Sequence, residues 1–283
     1  MIRLSVTTAD GVPLALYRLR ADRATRPPVL LVHGAFTSHR VWLRAGGEAG
    51  LAHYLDGRGF DVWLADLRHH GESGREPAPR TWRLEDLIRH DAPALVGRLR
   101  AETGRPPVWV GHSVGGVVGL CWQARGEPPP TLGALVNFGT PGPTRFGRLT
   151  RALAAATAAL SQTLGRYPAR LLRLGSEDEC GVVFADWMRW NARRRWEGRD
   201  GFDYLAALAQ VRTPYLAVAG DADRFLAPAR CCAELVERVT APRKGLIVCG
   251  PRLGHAGLVL SPRARASCWP RVADWIEETL DGP

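Results

Sequence analysis

The chain of 283 residues carries 38 Lys and Arg against 28 Asp and Glu, a formal net charge of +10, and 46% hydrophobic residues. That length and apolar content suit one large core with room for an inserted subdomain and exclude a fibrous or disordered chain. The apolar runs are short, none reaching the roughly 18 to 20 residues that cross a bilayer, and the positive charges are scattered and nearly all Arg, with Lys244 the only lysine, so a transmembrane segment and a nucleic-acid stripe are both disfavoured.

From the N-terminus, residues 2–6 and 13–20 flank Asp10-Gly11, a two-residue turn signal for an antiparallel hairpin at a sheet edge. No basic region followed by an apolar stretch and a small-residue cleavage site opens the chain, which leads us to expect a cytoplasmic protein. Runs rich in Val, Leu and Ile then recur at 28–33, 60–66, 107–112, 132–138, 214–219 and 244–249. Their near-continuous apolar character predicts strands covered on both faces. Helices are predicted over 40–56, 84–101, 114–125, 228–239 and 264–280. Such alternation gives an α/β class with a mostly parallel eight-stranded sheet and helices on both faces.

Residues 142–200 break the rhythm, being far longer than an ordinary strand-to-helix connection. We expect a helical cap there, with helices over 153–164 and 182–195 and a concentration of aromatic side chains in Phe184, Trp187, Trp190 and Trp196; packing the cap to the core is the plainer role for those rings. The chain thus divides into core (1–141), cap (142–200) and core (201–283). Arg193 to Arg195 read as a solvated helix face.

Gly111-His112-Ser113-Val114-Gly115 follows one predicted strand and precedes a helix. In that context a G-x-S-x-G run is a sharp turn that lifts a serine Oγ out of the sheet, and only small neighbours fit at Gly111 and Gly115. A serine hydroxyl needs a base, and the base needs a carboxylate to fix its tautomer. His255 is the only histidine after Ser113. For the acid, the strand at 214–219 runs into Gly220-Asp221-Ala222-Asp223; Asp223 is the choice and Asp221 the fallback, capping the turn. The Gly139-Thr140-Pro141 stretch offers no carboxylate. Donors for a developing oxyanion are expected from the backbone N–H of Val114 and of Ala35, the latter after His33-Gly34, with Phe36 beside it as a candidate wall of an acyl pocket that also includes Phe184 and Trp187. His33, His69, His70 and His112 are read as structural, and no metal or cofactor is expected. The six cysteines show no metal or redox spacing, and we expect them reduced and mostly buried as small hydrophobes.

Taken together, His33-Gly34-Ala35-Phe36, Asp66-Leu67-Arg68-His69-His70-Gly71-Glu72-Ser73, Gly111 to Gly115, Gly220 to Asp223 and Gly254-His255 resemble α/β-hydrolases of the esterase and lipase type from end to end. Residues 60–73, 85–95 and 108–116 look like the acid-lipase branch, whereas 255–261 and 269–276 look like polyhydroxyalkanoate synthases, which carry a cysteine nucleophile where this chain has Ser113. His69 replaces the second glycine usual in the Asp-Leu-Arg-Gly-His-Gly run. The resemblance implies the α/β-hydrolase fold and a serine hydrolase acting on a small-molecule or lipid ester; the aromatic-rich cap expected over Ser113 points to an apolar acyl chain. A thioesterase or acyltransferase with the same triad, and a non-catalytic ligand-binding member of the fold, are the alternatives; oligomeric state is left open.

Overall fold

The computed structural model describes residues 1–20, 24–74, 82–126, 132–143 and 147–282. Its main sheet has eight strands: β1 (Ile2–Thr7), β2 (Pro13–Arg18), β3 (Arg26–Val32), β4 (Phe60–Ala65), β5 (Val108–His112), β6 (Ala134–Phe138), β7 (Tyr215–Gly220) and β8 (Lys244–Cys249). They lie in the order β1-β2-β4-β3-β5-β6-β7-β8, with β2 antiparallel to both its neighbours and the rest parallel. Every expected strand is present, and the Asp10-Gly11 hairpin leads the sheet, Gly11 taking φ 84°.

Because successive side chains of a strand point to opposite faces, the sheet feeds two cores. Leu30, Val32, Trp63 and Trp109 pack on one face against the helices α2 (Ala92–Thr103), α3 (Val114–Arg125) and α6 (Ala229–Arg238). Val29, Leu31, Val62 and Val110 pack on the other against α1 (Leu51–Gly57) and α7 (Trp269–Leu280). Burial on both sides explains the unbroken apolar runs of β3 to β7.

The predicted helix over 40–56 is corrected. The chain makes one tight turn at His39–Trp42, then a small hairpin of Arg44–Ala45 and Glu48–Ala49, and only then α1. Gly46 and Gly47 set that hairpin, with φ of 56° and 92° that a helix does not permit. The helix expected at 84–101 contains a widened turn of π-helical bonding over Leu87–Asp91, just ahead of Pro93, whose ring would press on the carbonyl a turn back. The C-terminal helix is likewise two, Pro262–Ser267 and α7, parted at Cys268 ahead of Pro270. Cys249 and Cys268, expected reduced, instead pair as a disulfide with Cα atoms 5.6 Å apart, since the start of α7 returns to the end of β8. Cys121, Cys180, Cys231 and Cys232 are buried free thiols.

Between β6 and β7 the chain inserts α4 (Arg148–Leu164) and α5 (Gly181–Arg193), which pack on each other; residues 144–146 of the insertion lie outside the described residues. Polar ties join it to the body: Glu179 pairs with His70 at 3.3 Å in a buried contact, and Asp186 with the half-buried Arg83 at 3.0 Å. Trp190 stacks on Trp196 at 5.8 Å and against Tyr204 at 5.4 Å, so these two tryptophans do anchor the insertion to the core.

Candidate active site

The turn from β5 to α3 holds Ser113 at φ 51° and ψ −119°, a sparsely populated backbone conformation for a residue with a side chain. Packing enforces it. A Cβ on Gly111 would fall 2.5 Å from the Gly116 backbone, and one on Gly115 would fall 2.4 Å from the carbonyl oxygen of His33. The turn is therefore wedged between its own helix and the end of β3. Ser113 N–H donates to the Phe138 carbonyl at 2.9 Å, fixing the turn to the neighbouring strand. As the first residue of α3, Val114 presents an N–H with no carbonyl a turn behind it.

The loop after β3 lies against the serine, for a Cβ on Gly34 would be 3.0 Å from that of Ser113. The Gly34 carbonyl accepts from His33 Nδ1–H at 2.7 Å and from Thr37 Oγ1 at 3.0 Å, while His33 Nε2 accepts from the Leu67 amide at 3.1 Å. His33 thus braces the loop as a neutral imidazole, in keeping with full burial, which drives its pKa down to about 4. Ala35 follows in this braced loop. Phe36, at φ 64°, stacks on Tyr167 at 5.3 Å and meets Phe184 at 6.0 Å, so it backs the aromatic wall from behind.

Asp223 and His255 are brought together by the loops after β7 and β8: His255 Nδ1–H donates to Asp223 Oδ2 at 2.8 Å. The buried carboxylate also accepts from the amides of Leu226 at 3.0 Å and Ala227 at 3.1 Å. Burial works to raise the Asp223 pKa, but the His255 hydrogen bond and these amides outweigh it and hold the carboxyl below its usual range. Asp221 does something else, its oxygens accepting from Arg252 N at 3.0 Å and Leu253 N at 2.8 Å and so clamping the loop that delivers His255. Gly139, at φ 54°, leaves room for the imidazole, since a Cβ there would lie 3.1 Å from His255 Nδ1.

A cavity of about 240 Å³ opens at Ser113. Its walls include Leu153, Tyr167, Phe184, Trp187, Phe225 and Leu226. Of the aromatic residues singled out in the insertion, Phe184 and Trp187 face this space, while Trp190 and Trp196 do not. Sequence reasoning missed Tyr167, Phe225 and Leu226; the last two carry a signal, being large apolar side chains in a polar loop directly after Asp223, whereas Tyr167 carries none. Nearby, His69 takes φ 71°, the left-handed backbone that explains why glycine is usual at this place. Among the described residues no group of three His, Cys, Asp or Glu side chains is arranged to hold a metal ion, and no helix is long and apolar enough to cross a membrane.

The family model described as "Alpha/beta hydrolase family" matches residues 29–274, a span holding all of these loops. The chain belongs to the alpha/beta hydrolase family. Among curated relatives of this alpha/beta hydrolase, Triacylglycerol lipase 2 of Arabidopsis thaliana is 31% identical over 130 residues, covering 41% of this chain and 31% of the relative. Lysosomal acid lipase/cholesteryl ester hydrolase of Homo sapiens is 26% identical over 182 residues, covering 59% of this chain and 43% of the relative. The chain therefore spans about a third of the length of the first relative and under half of the second. Among solved structures, a thermophilic esterase from Thermogutta terrifontis superposes with a TM-score of 0.67 at 18% identity, covering 99% of both chains. A membrane phospholipase A superposes at 0.64 and 20%, covering 99% of this chain and 86% of that one. At such identities the likeness is one of fold.

Proposed function

We propose that this alpha/beta hydrolase is a serine carboxylic ester hydrolase acting on esters of apolar acyl chains. Ser113 Oγ attacks the ester carbonyl and passes its proton to His255, which hands it to the departing alcohol; water, deprotonated by His255, then releases the acid from the acyl-enzyme. Asp223 fixes the tautomer that leaves His255 Nε2 free to accept, and the amides of Val114 and Ala35 receive the oxyanion. The insertion 142–200 acts as a cap whose Phe184 and Trp187 form the acyl wall.

The observation that carries this reading is the 2.8 Å His255–Asp223 hydrogen bond, set beside a serine held at positive φ on the lip of an apolar cavity. A binding protein has no use for a histidine whose tautomer is fixed by a buried carboxylate. The relatives that are lipases by name agree with the ester reading.

The test is labelling with a fluorophosphonate probe, peptide mapping, and turnover of p-nitrophenyl esters of increasing chain length. Ester turnover with the label on Ser113, both lost in Ser113→Ala, is the expected result. Full turnover by Ser113→Ala, or no labelling of the folded protein, would overturn it.

A further inference from the structure

The rim of the cavity is open to solvent in an unusual way: Leu153, Phe225 and Leu226 line the space and are at the same time exposed, Phe225 by 62%. Leu153 does not stand alone. Leu149, Leu160 and Leu164 on the same helix are also exposed, Leu149 by 84%. At 3.6 residues per turn these four leucines fall within about 60° of one another around α4. Its other face is the one that packs on the protein, through Ala158 and Ser161. Just beyond α4, Leu171, Leu172 and Leu174 are exposed as well, Leu171 by 81%. Scattered surface leucines need no explanation, but a helical stripe of them continuous with a cavity mouth does.

Charge decides what covers it. Residues 147–176 and 224–233, which carry this apolar surface, contain seven arginines and no Asp or Glu. Arg148, Arg151, Arg170, Arg173 and Arg224 are exposed. None of their guanidinium groups is paired with a carboxylate among the described residues; the nearby Asp178 is taken up by Arg166 and the Arg170 amide. A second copy of the chain docking through the same patch about a two-fold axis would set this cationic rim against itself. An apolar layer covered by negative headgroups satisfies both features at once.

We propose that the α4 leucine stripe and the loop at Phe225 and Leu226 form a docking surface for an anionic lipid bilayer, laying the cavity mouth on the membrane. Docking is a property of the surface and needs neither Ser113 nor turnover.

The experiment uses the full chain with Ser113→Ala, so that no lipid is consumed, in flotation with phosphatidylcholine vesicles and with mixed phosphatidylcholine/phosphatidylglycerol vesicles. The expected result is binding at least about tenfold tighter to the mixed vesicles, weakened by salt. Adding Leu149→Ser and Leu160→Ser, neither of which lines the cavity, lowers that binding about tenfold or more. The same two substitutions in the chain that retains Ser113 leave turnover of a water-soluble short ester unchanged. Absence of vesicle binding, equal binding to both vesicle types, or a dimer that the two serines dissociate would each overturn the proposal. Vesicle binding by a protein without esterase activity would sink the catalytic reading and leave this one standing.

Discussion

The ring of His112 packs 4.9 Å from that of His255, and its Nε2–H donates to the His255 backbone carbonyl at 3.3 Å. The residue before Ser113 thus holds the loop that carries His255. Burial, reinforced by the neighbouring His255, drives the His112 pKa down to about 3. In the unfolded chain an ordinary histidine takes up its proton near pH 6.5. The unfolded state therefore binds more protons between these values, and stability is present above about pH 6.5 and falls as pH drops. From pH 7 to 5 the loss from His112 alone is about 2 kcal/mol. His70 works in the opposite sense, since Glu179 raises it despite burial. Urea unfolding of wild type and His112→Gln at both pH values isolates the term: the variant should lose less stability on acidification, and equal losses would disprove the assignment.

Asp221 and Asp223 are two residues apart and close different circuits, one to the Arg252 and Leu253 amides and the other to His255 Nδ1. Asp223→Asn should lower kcat by about 10³ to 10⁴ by stranding the imidazole in the wrong tautomer. Asp221→Asn should cost stability, with a loss of kcat of tenfold at most. Steady-state kinetics on a soluble ester checks both, and a reversed order would exchange their roles.

Gly115→Ala tests how tightly the elbow is wedged. Its Cβ would meet the carbonyl oxygens of Val32 at 2.5 Å, the last residue of the central strand β3, and of His33 at 2.4 Å just beyond it, backbone atoms that cannot step aside. We expect a loss of about 3 kcal/mol or more, read as a fall in the urea midpoint. Gly147→Ala, with open space around the new methyl, is the control that should change little.

The tryptophans of the insertion should separate by role. Trp187→Ala enlarges the cavity and should move the optimum of the p-nitrophenyl series toward longer acyl chains. Trp196→Ala removes a fully buried ring and should cost about 3 to 5 kcal/mol with the chain-length optimum unmoved. Identical profiles for the two variants would refute the division.

The placement of Ser113, Asp223 and His255 in loops that follow strands, and the meeting of the last two, were legible in sequence because strand ends mark the loops and a single histidine follows the serine; their catalytic roles stay part of the proposal. The sheet was legible for a related reason: strands covered on both faces write themselves as unbroken Val and Leu runs. The losses have physical causes. Gly46-Gly47 turned an apparent helix into a hairpin, a choice that depends on what Pro262 leaves room for, the nearest atom to a Cβ at Gly46 being only 2.7 Å away. The Cys249–Cys268 pairing and the buried His70–Glu179 pair, 109 residues apart, depend on tertiary return paths that spacing does not encode. The same holds for which tryptophans face the cavity, since a helix pattern marks an apolar side without saying what lies across from it.

The elbow at Ser113 also sets stability and chemistry against each other at one position. Glycine alone is at ease at φ 51°, so Ser113→Gly should unfold at higher urea than Ser113→Ala, by about 1 kcal/mol. A blind search for a sturdier version of this chain would thus erase its proposed nucleophile among the first changes accepted. Any effort to harden the protein for use has to hold residue 113 fixed and look for its gains on the far side of the sheet, where α1 and α7 pack away from the cavity.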